Sequence, residues 1–233
     1  METKFNELKQ HKADKNPEKF NEVLTGLLPK LERYIRHRLK IYELKKIFPK
    51  NYYAPEGIVG DIYLKVYEDF DNIKDSRDLK IKIFRLADEI LESYAAKHMP
   101  VRKKISVDKI LKEELKMLNE DYTVDADGDL ILLEELDDIS YKQDEFKRKT
   151  FLFDPSALKS FATALGLSVD DFQDEKLRAM FGSLYANLPE TSRRILDLVS
   201  HAGLTPAETA EVVGIKESDV TDVMVKIKTL LEK

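Results

Sequence analysis

Cysteine and tryptophan are both missing from the 233 residues. Without thiols there is no disulfide framework, no zinc–thiolate site and no cysteine nucleophile. Histidine is scarce, and His11, His37, His98 and His201 do not pair at metal-ligand spacing along the chain. Only 8 glycines and 8 prolines interrupt the sequence, and none of the glycines builds a phosphate-cradling loop. No nucleophile motif stands out, and paired acids such as Glu134-Glu135 and Asp137-Asp138 read as solvated charge. No apolar run approaches the length of a membrane span. The polar opening stretch 1–16 lacks the apolar centre of a secretion signal. A cytoplasmic protein that is not an enzyme, with no cofactor and no metal, is the expectation.

What is present is charge and helical periodicity. Hydrophobic residues make up 42% and charged residues 36%, a balance that suits a helix-rich protein. The net charge of −5 is unevenly spread. Residues 1–104 carry 23 Lys and Arg against 17 Asp and Glu, whereas residues 105–187 carry 10 against 19. Residues 188–233 carry 6 against 8, so the last segment is slightly acidic. Phosphate neutralisation supplies most non-specific DNA affinity, and this end has little to offer it.

Taken in order, residues 1–16 read as a polar arm. From Pro17 to about Ile47, Phe20, Val23, Leu24, Leu27, Leu28, Leu31, Ile35 and Leu39 recur at helical spacing. Pro29 kinks or restarts that helix. Pro55 opens a second helix with Ile58, Val59, Ile62, Tyr63, Val66, Tyr67 and Phe70 on its core face. Gly57 and Gly60 lie off that face and cost about 1 kcal/mol each relative to Ala. A third helix over Leu79–Lys97 turns Leu79, Ile83, Leu86, Ala87, Ile90 and Leu91 inward. Lys97, His98, Arg102, Lys103 and Lys104 follow as a basic run.

Residues 105–153 form an acidic linker with a short helix over Val107–Leu118. Within it, Asp125, Asp127, Asp129 and Glu134 have some of the spacing of a calcium loop. Thr123 stands at the first ligand position, however, and no helix pair flanks the segment. A turn or hairpin at Asp127-Gly128 is the preferred reading. Asp154-Pro155 caps a helix that Gly166 ends, and Val169–Asn187 forms another.

The end of the chain carries the strongest pattern. Leu188-Pro189 opens a helix with Ile195, Leu196, Leu198 and Val199, and Gly203 breaks it. Thr205-Pro206-Ala207-Glu208 restarts a helix with a capping box. Gly214 ends that short helix, and a last one follows with Val220, Val223, Met224, Ile227, Leu230 and Leu231 in one stripe. Short helices joined by a tight turn make a helix-turn-helix.

The residues Leu188-Pro189, Arg193-Arg194-Ile195-Leu196, Gly203-Leu204-Thr205 and Glu208 through Ile215 resemble region 4 of bacterial RNA polymerase sigma factors. Pro55 through Tyr67 is similar to the region 2 stretch of the same family, and Ile83-Phe84-Arg85-Leu86-Ala87 to a second region 2 segment. The two matches occur in the family's order on either side of an acidic linker, which is the organisation of the two-domain, extracytoplasmic-function type. The resemblance implies an all-α fold: a region 2-like bundle over 17–104, the linker over 105–153 and a region 4-like helix-turn-helix domain over 154–233.

The resemblance also implies partners and residues. Core RNA polymerase would dock on Glu56, Asp61 and Lys65. Single-stranded promoter DNA would meet Arg85, Lys97, His98, Arg102, Lys103 and Lys104. Duplex DNA would be read by Thr205, Lys216, Ser218, Thr221, Lys226 and Lys228. An anti-sigma protein is a further partner that the resemblance admits. The chain departs from the family at Gly57 and Gly60, at Asp88 and Glu89, and at Asp219 and Asp222 of the recognition helix. The departures at Asp88, Glu89, Asp219 and Asp222 favour the alternative, a sigma-like interaction protein that binds polymerase or an anti-sigma partner without reading DNA.

Overall fold

A computed structural model describes residues 2–27, 29–98, 107–118, 122–124, 130–132, 151, 153–168 and 174–232. The described residues are helical apart from one two-stranded hairpin and the turns between elements. The helices are α1 (Glu2–Ala13), α2 (Pro17–Leu27), α3 (Pro29–Leu44), α4 (Pro55–Glu68), α5 (Ser76–His98), α6 (Val107–Met117), α7 (Pro155–Leu165), α8 (Glu175–Asn187), α9 (Glu190–Asp197), α10 (Pro206–Val213) and α11 (Glu217–Leu231). Strands β1 (Tyr122–Val124) and β2 (Leu130–Leu132) pair antiparallel, with Thr123 opposite Ile131. Five helices begin on a proline, at Pro17, Pro29, Pro55, Pro155 and Pro206. Proline's fixed φ and missing N–H suit the first helical position, so these residues set where helices start.

The chain divides into two compact units, Met1–Lys104 with His201–Gly214, and Ile105–Ser200 with Ile215–Lys233. The stretch read as one helix-turn-helix domain is therefore split: α10 belongs with the N-terminal helices and α11 with the rest. The linear domain boundaries expected from the sequence do not describe this division.

In the first unit, α3, α4 and α5 pack on one another and α2 lies on α4. Leu31, Tyr34, Ile35, Ile58, Ile62, Val66, Ile83, Phe84, Ala87 and Leu91 are buried. Phe20 meets Tyr67 and Phe70 edge to face, each at 5.0 Å. Residues 1–16, read as a polar arm, are instead mostly helix. Phe5 and Leu8 of α1 are buried, and α1 packs along α2. Two apolar side chains in an otherwise polar helix leave almost no periodic signal. Burying them still contributes about 1.5–3 kcal/mol each, enough to hold a helix on a preformed surface. Pro29 starts α3 afresh.

Asp88 and Arg38 are the most deeply buried acid and base among the described residues of this unit. The Tyr34 hydroxyl donates to Asp88 Oδ1 at 2.9 Å, and Asp88 is only 1% exposed. Arg38, equally buried, donates from Nη2 to the Tyr42 hydroxyl at 2.6 Å. α10 packs on α5, with Thr209, Ala210 and Val213 buried. Its ends follow the sequence closely. Thr205 closes a capping box with Glu208, and Gly214 takes φ +82°, the left-handed conformation that ends helices and that glycine adopts without a Cβ clash.

In the second unit, Phe153, Phe161, Phe181 and Tyr185 form an aromatic core between α7 and α8. Asp154 caps α7 by accepting from Ala157 N at 2.9 Å. α9 packs on α6 and α11, and α11 also contacts α7 and α8. Glu114 of α6 is buried and ties that helix to α9. Its carboxylate accepts from Thr191 N at 3.1 Å, Ser192 N at 3.0 Å and Ser192 Oγ at 3.1 Å. The first part of the acidic linker is thus an integral piece of this unit. The hairpin flanks Asp127-Gly128, and those two residues lie outside the described ones, as do Asp125, Asp129 and Glu134 of the calcium-loop reading. No described helix is long and apolar enough to cross a membrane.

Candidate functional site

Three surfaces carry the residues that the sequence singles out. The first is α4. Its core stripe of Ile58, Ile62, Tyr63 and Val66 is buried, which turns the opposite half of the helix outward. Glu56, Asp61 and Lys65 are all exposed there. Between them lie Gly57 and Gly60, where an added Cβ would meet nothing within 4 Å, and Leu64, 58% exposed. Glu56 pairs with Arg36 of α3 at 3.1 Å, and Arg36 also pairs with Glu32 at 2.5 Å. The Glu56 carboxyl is held below its ordinary range, first by its own backbone N–H and then by Arg36. Glycine on an exposed helix face is costly and leaves bare backbone. The result is a smooth strip with an apolar centre and charged margins.

The second surface is α5, and α10 covers part of it. Lys80 Nζ lies 2.8 Å from Glu208 Oε2, the same oxygen that accepts from Thr205 N at 2.8 Å in the capping box. Burial pushes the Glu208 carboxyl up. Lys80 and the Thr205 N–H and hydroxyl more than offset that, and its net shift is downward. Arg77 pairs with Glu211. Arg85, the residue expected to meet a single strand, donates from Nη2 to the Glu211 carbonyl at 2.8 Å. Asp88 is turned inward to Tyr34, so it presents nothing to a nucleic acid. Thr205 also serves inside the chain, its hydroxyl accepting from Glu208 N at 3.2 Å.

At the far end of α5, Lys97 and His98 are exposed. They do not stand alone. The loop between α3 and α4 brings Tyr52 and Tyr53 against them, an association with no sequence signal, because the loop and the helix end are remote in the chain. Tyr53 stacks on Tyr94 with centroids 4.0 Å apart and planes 17° apart. The Tyr53 hydroxyl and His98 Nε2 are 3.2 Å apart. Lys97 Nζ sits 5.0 Å from the centre of the Tyr94 ring. Burial, then the neighbouring Tyr52 and Tyr94, push the Tyr53 hydroxyl up; burial, then Asp61, do the same at Tyr94. Both phenols stay neutral. Arg102, Lys103 and Lys104 lie outside the described residues.

The third surface is α11. Asp219 Oδ2 accepts from Lys216 N at 3.4 Å, which caps the helix. Ser218 Oγ donates to Asp219 Oδ1 at 3.5 Å, and Thr221 Oγ1 donates to the Glu217 carbonyl at 3.1 Å. Lys226 donates to the Leu115 carbonyl at 3.0 Å, and Lys228 to the Gly166 carbonyl at 3.4 Å. Both lysines satisfy carbonyls at the C-terminal ends of α6 and α7, where the helix dipole favours a cation. In this arrangement they hold the second unit together, with Asp219 and Asp222 standing in the first turns.

The histidines are separate in sequence, yet the fold brings two together. The rings of His37 and His201 lie 4.0 Å apart, and His201 is 2% exposed. Nothing in the spacing of the chain foretells that pair.

Compared with family models, with curated proteins and with solved structures, the chain matches none.

Proposed function

We propose that the chain is a sigma-factor-type protein that binds core RNA polymerase through the outward half of α4. The observation that carries the proposal is the open strip of Gly57, Gly60 and Leu64 bordered by Glu56, Asp61 and Lys65. Its position in the chain is the one at which the resembled family docks on polymerase. A helix face kept bare at a cost in helix stability suits close approach by another helix.

DNA engagement is a second step in this reading. Arg85 is held by the Glu211 carbonyl, so α10 has to leave α5 before that guanidinium can meet a phosphate or a base. One set of observations favours the alternative, a polymerase-binding protein that does not read DNA. Lys226 and Lys228 are engaged by carbonyls of their own unit, and Asp219 and Asp222 add negative charge to the first turns of α11.

The test is retention of bacterial core polymerase by the immobilised full chain, compared with an Asp61→Lys, Leu64→Asp double variant. The wild type is expected to retain polymerase and the double variant to lose it. Run-off transcription from the resulting holoenzyme then separates the readings. Promoter-dependent transcripts support a working sigma factor, and binding without transcripts supports the interaction protein. Absence of polymerase binding overturns both.

A further inference from the structure

We infer that the cleft between α1, the C-terminal end of α4 and the turn after it binds a nucleoside di- or triphosphate. The cleft has a volume of about 570 Å³. Lys9, Lys12 and Lys15 line it from α1 and its end, and Tyr67, Phe70 and Ile73 line it from α4 and the following turn. That volume lies within the range of small-molecule sites. All of these residues belong to the first unit.

The three lysines are placed against the interest of the fold. Lys9 and Lys12 stand three residues apart on α1, where like charges destabilise a helix. Lys15 lies just past the helix end at φ +50°, the left-handed conformation in which glycine or asparagine usually ends a helix. Among the described residues no carboxylate lies within ion-pair distance of any of the three. Lys12 is nonetheless held in place. Its Nζ donates to the Tyr67 carbonyl near the end of α4 and sits 4.0 Å from the centre of the Tyr67 ring. Lys9 and Lys15 are exposed on either side of it in the sequence. One fixed cation and two mobile ones thus meet at the same opening.

The lining selects the class of ligand. Phosphate oxygens are the natural partners of ammonium groups that have no acid beside them. Phe70 and Ile73 are buried and Tyr67 is half-buried, so the floor of the cleft is apolar. A bare phosphate leaves that floor wet, and an uncharged nucleoside leaves the lysines without a partner. A flat base that carries a chain of phosphates satisfies both. Asp71 also lines the cleft and is exposed. Its carboxylate repels phosphate but accepts from a sugar hydroxyl or a base amine, donors that a nucleotide has and a polyphosphate lacks. Glu56, Asp61 and Lys65 are not among the lining residues, so this proposal and the polymerase reading stand or fall separately.

The test is isothermal titration calorimetry of the full chain at low salt, without polymerase, against ATP, GTP, adenosine and tripolyphosphate. One or both nucleotides are expected to bind, with adenosine and tripolyphosphate each weaker by about tenfold or more. Lys9→Ala is expected to weaken nucleotide binding roughly 3- to 30-fold, the loss of one partly screened charged contact. Lys9→Arg keeps the charge and is expected to bind within about threefold of the wild type. Lys15→Gly is expected to weaken binding to a similar extent as Lys9→Ala. Glycine suits the left-handed conformation at that position, so this variant is expected to melt no lower than the wild type, and its loss of binding cannot then be traced to unfolding. Absence of binding by both nucleotides overturns the proposal. So does tripolyphosphate or adenosine binding as tightly as the nucleotides, or wild-type nucleotide affinity in both Lys9→Ala and Lys15→Gly.

Discussion

Lys80 and Glu208 meet at 2.8 Å, and the Glu208 oxygen involved is also the one that closes the capping box of α10. One carboxylate thus starts a helix and fastens it to α5. The pair is mostly out of solvent, at 17% and 11% side-chain exposure. Charged hydrogen bonds in such surroundings contribute more than an exposed pair, whose usual worth is about 0–1 kcal/mol. The nearby Arg77–Glu211 pair is half exposed and belongs to that weaker class.

The first prediction concerns this fastening and pH. The Glu208 carboxyl is lowered in the folded chain. A lowered carboxyl contributes stability that is present above its unfolded value, near pH 4.3, and is lost as pH falls through the folded value. Glu208→Gln is therefore expected to cost about 1–3 kcal/mol at pH 7. Its difference from the wild type is expected to shrink towards pH 3. Urea melts followed by circular dichroism at both pH values measure this. A difference that does not change with pH would falsify the electrostatic account of the contact.

Asp88 yields a second prediction. The resembled family has arginine there, yet Asp88 is buried and accepts from Tyr34. Restoring the family residue would place a large cation in the core. Asp88→Arg is expected to destabilise the chain by more than about 3 kcal/mol, and to abolish rather than improve any DNA binding. Tyr34→Phe, which removes only the hydroxyl, is expected to cost about 1–2 kcal/mol. Thermal melts of the two variants give the comparison, and a stable Asp88→Arg protein would refute the structural role.

The open half of α4 gives a third. Nothing stands within 4 Å of a Cβ at Gly57 or Gly60. Gly57→Ala and Gly60→Ala are each expected to raise stability by about 0.5–1 kcal/mol, through helix propensity and a less flexible unfolded chain. If this face receives a helix of polymerase, the same variants weaken polymerase retention while stabilising the protein. Stability and retention rising together would show that the face is not a docking surface.

Glu114 gives a fourth. Its carboxylate satisfies two N–H groups at the start of α9 and the Ser192 hydroxyl. Glu114→Ala leaves those donors without it in a buried place, at an expected cost of about 1–3 kcal/mol. Hydrogen exchange is expected to quicken first at Thr191 and Ser192. Unchanged exchange there would mean that α6 does not hold α9.

Much of the helical architecture was legible because local chemistry sets it. Proline at first helical positions, Asp154 and Thr205 as caps, and the left-handed Gly203 and Gly214 mark helix ends without any tertiary information. Apolar spacing of three and four identified the buried stripes of α3, α4, α5 and α11 for the same reason. The exposure of Glu56, Asp61 and Lys65 follows from the same spacing, since a helix with one well-defined buried stripe leaves its opposite half exposed, whereas their choice as candidates came from the resemblance alone.

The helix α1 was not legible, because its burial rests on two side chains and on a surface supplied by α2. Nor were the partners of the charged residues. By itself the sequence determined where helices start and stop and which side of each is apolar, because those depend on backbone propensity and spacing within a few residues. Only the tertiary structure decided that α10 sits on α5, that Arg85, Lys226 and Lys228 donate to carbonyls of the chain, and that Tyr52 joins Tyr94 and His98 in one aromatic corner. Those pairings join residues remote in the chain, and a charge or a ring carries no local mark of the partner that folding brings to it.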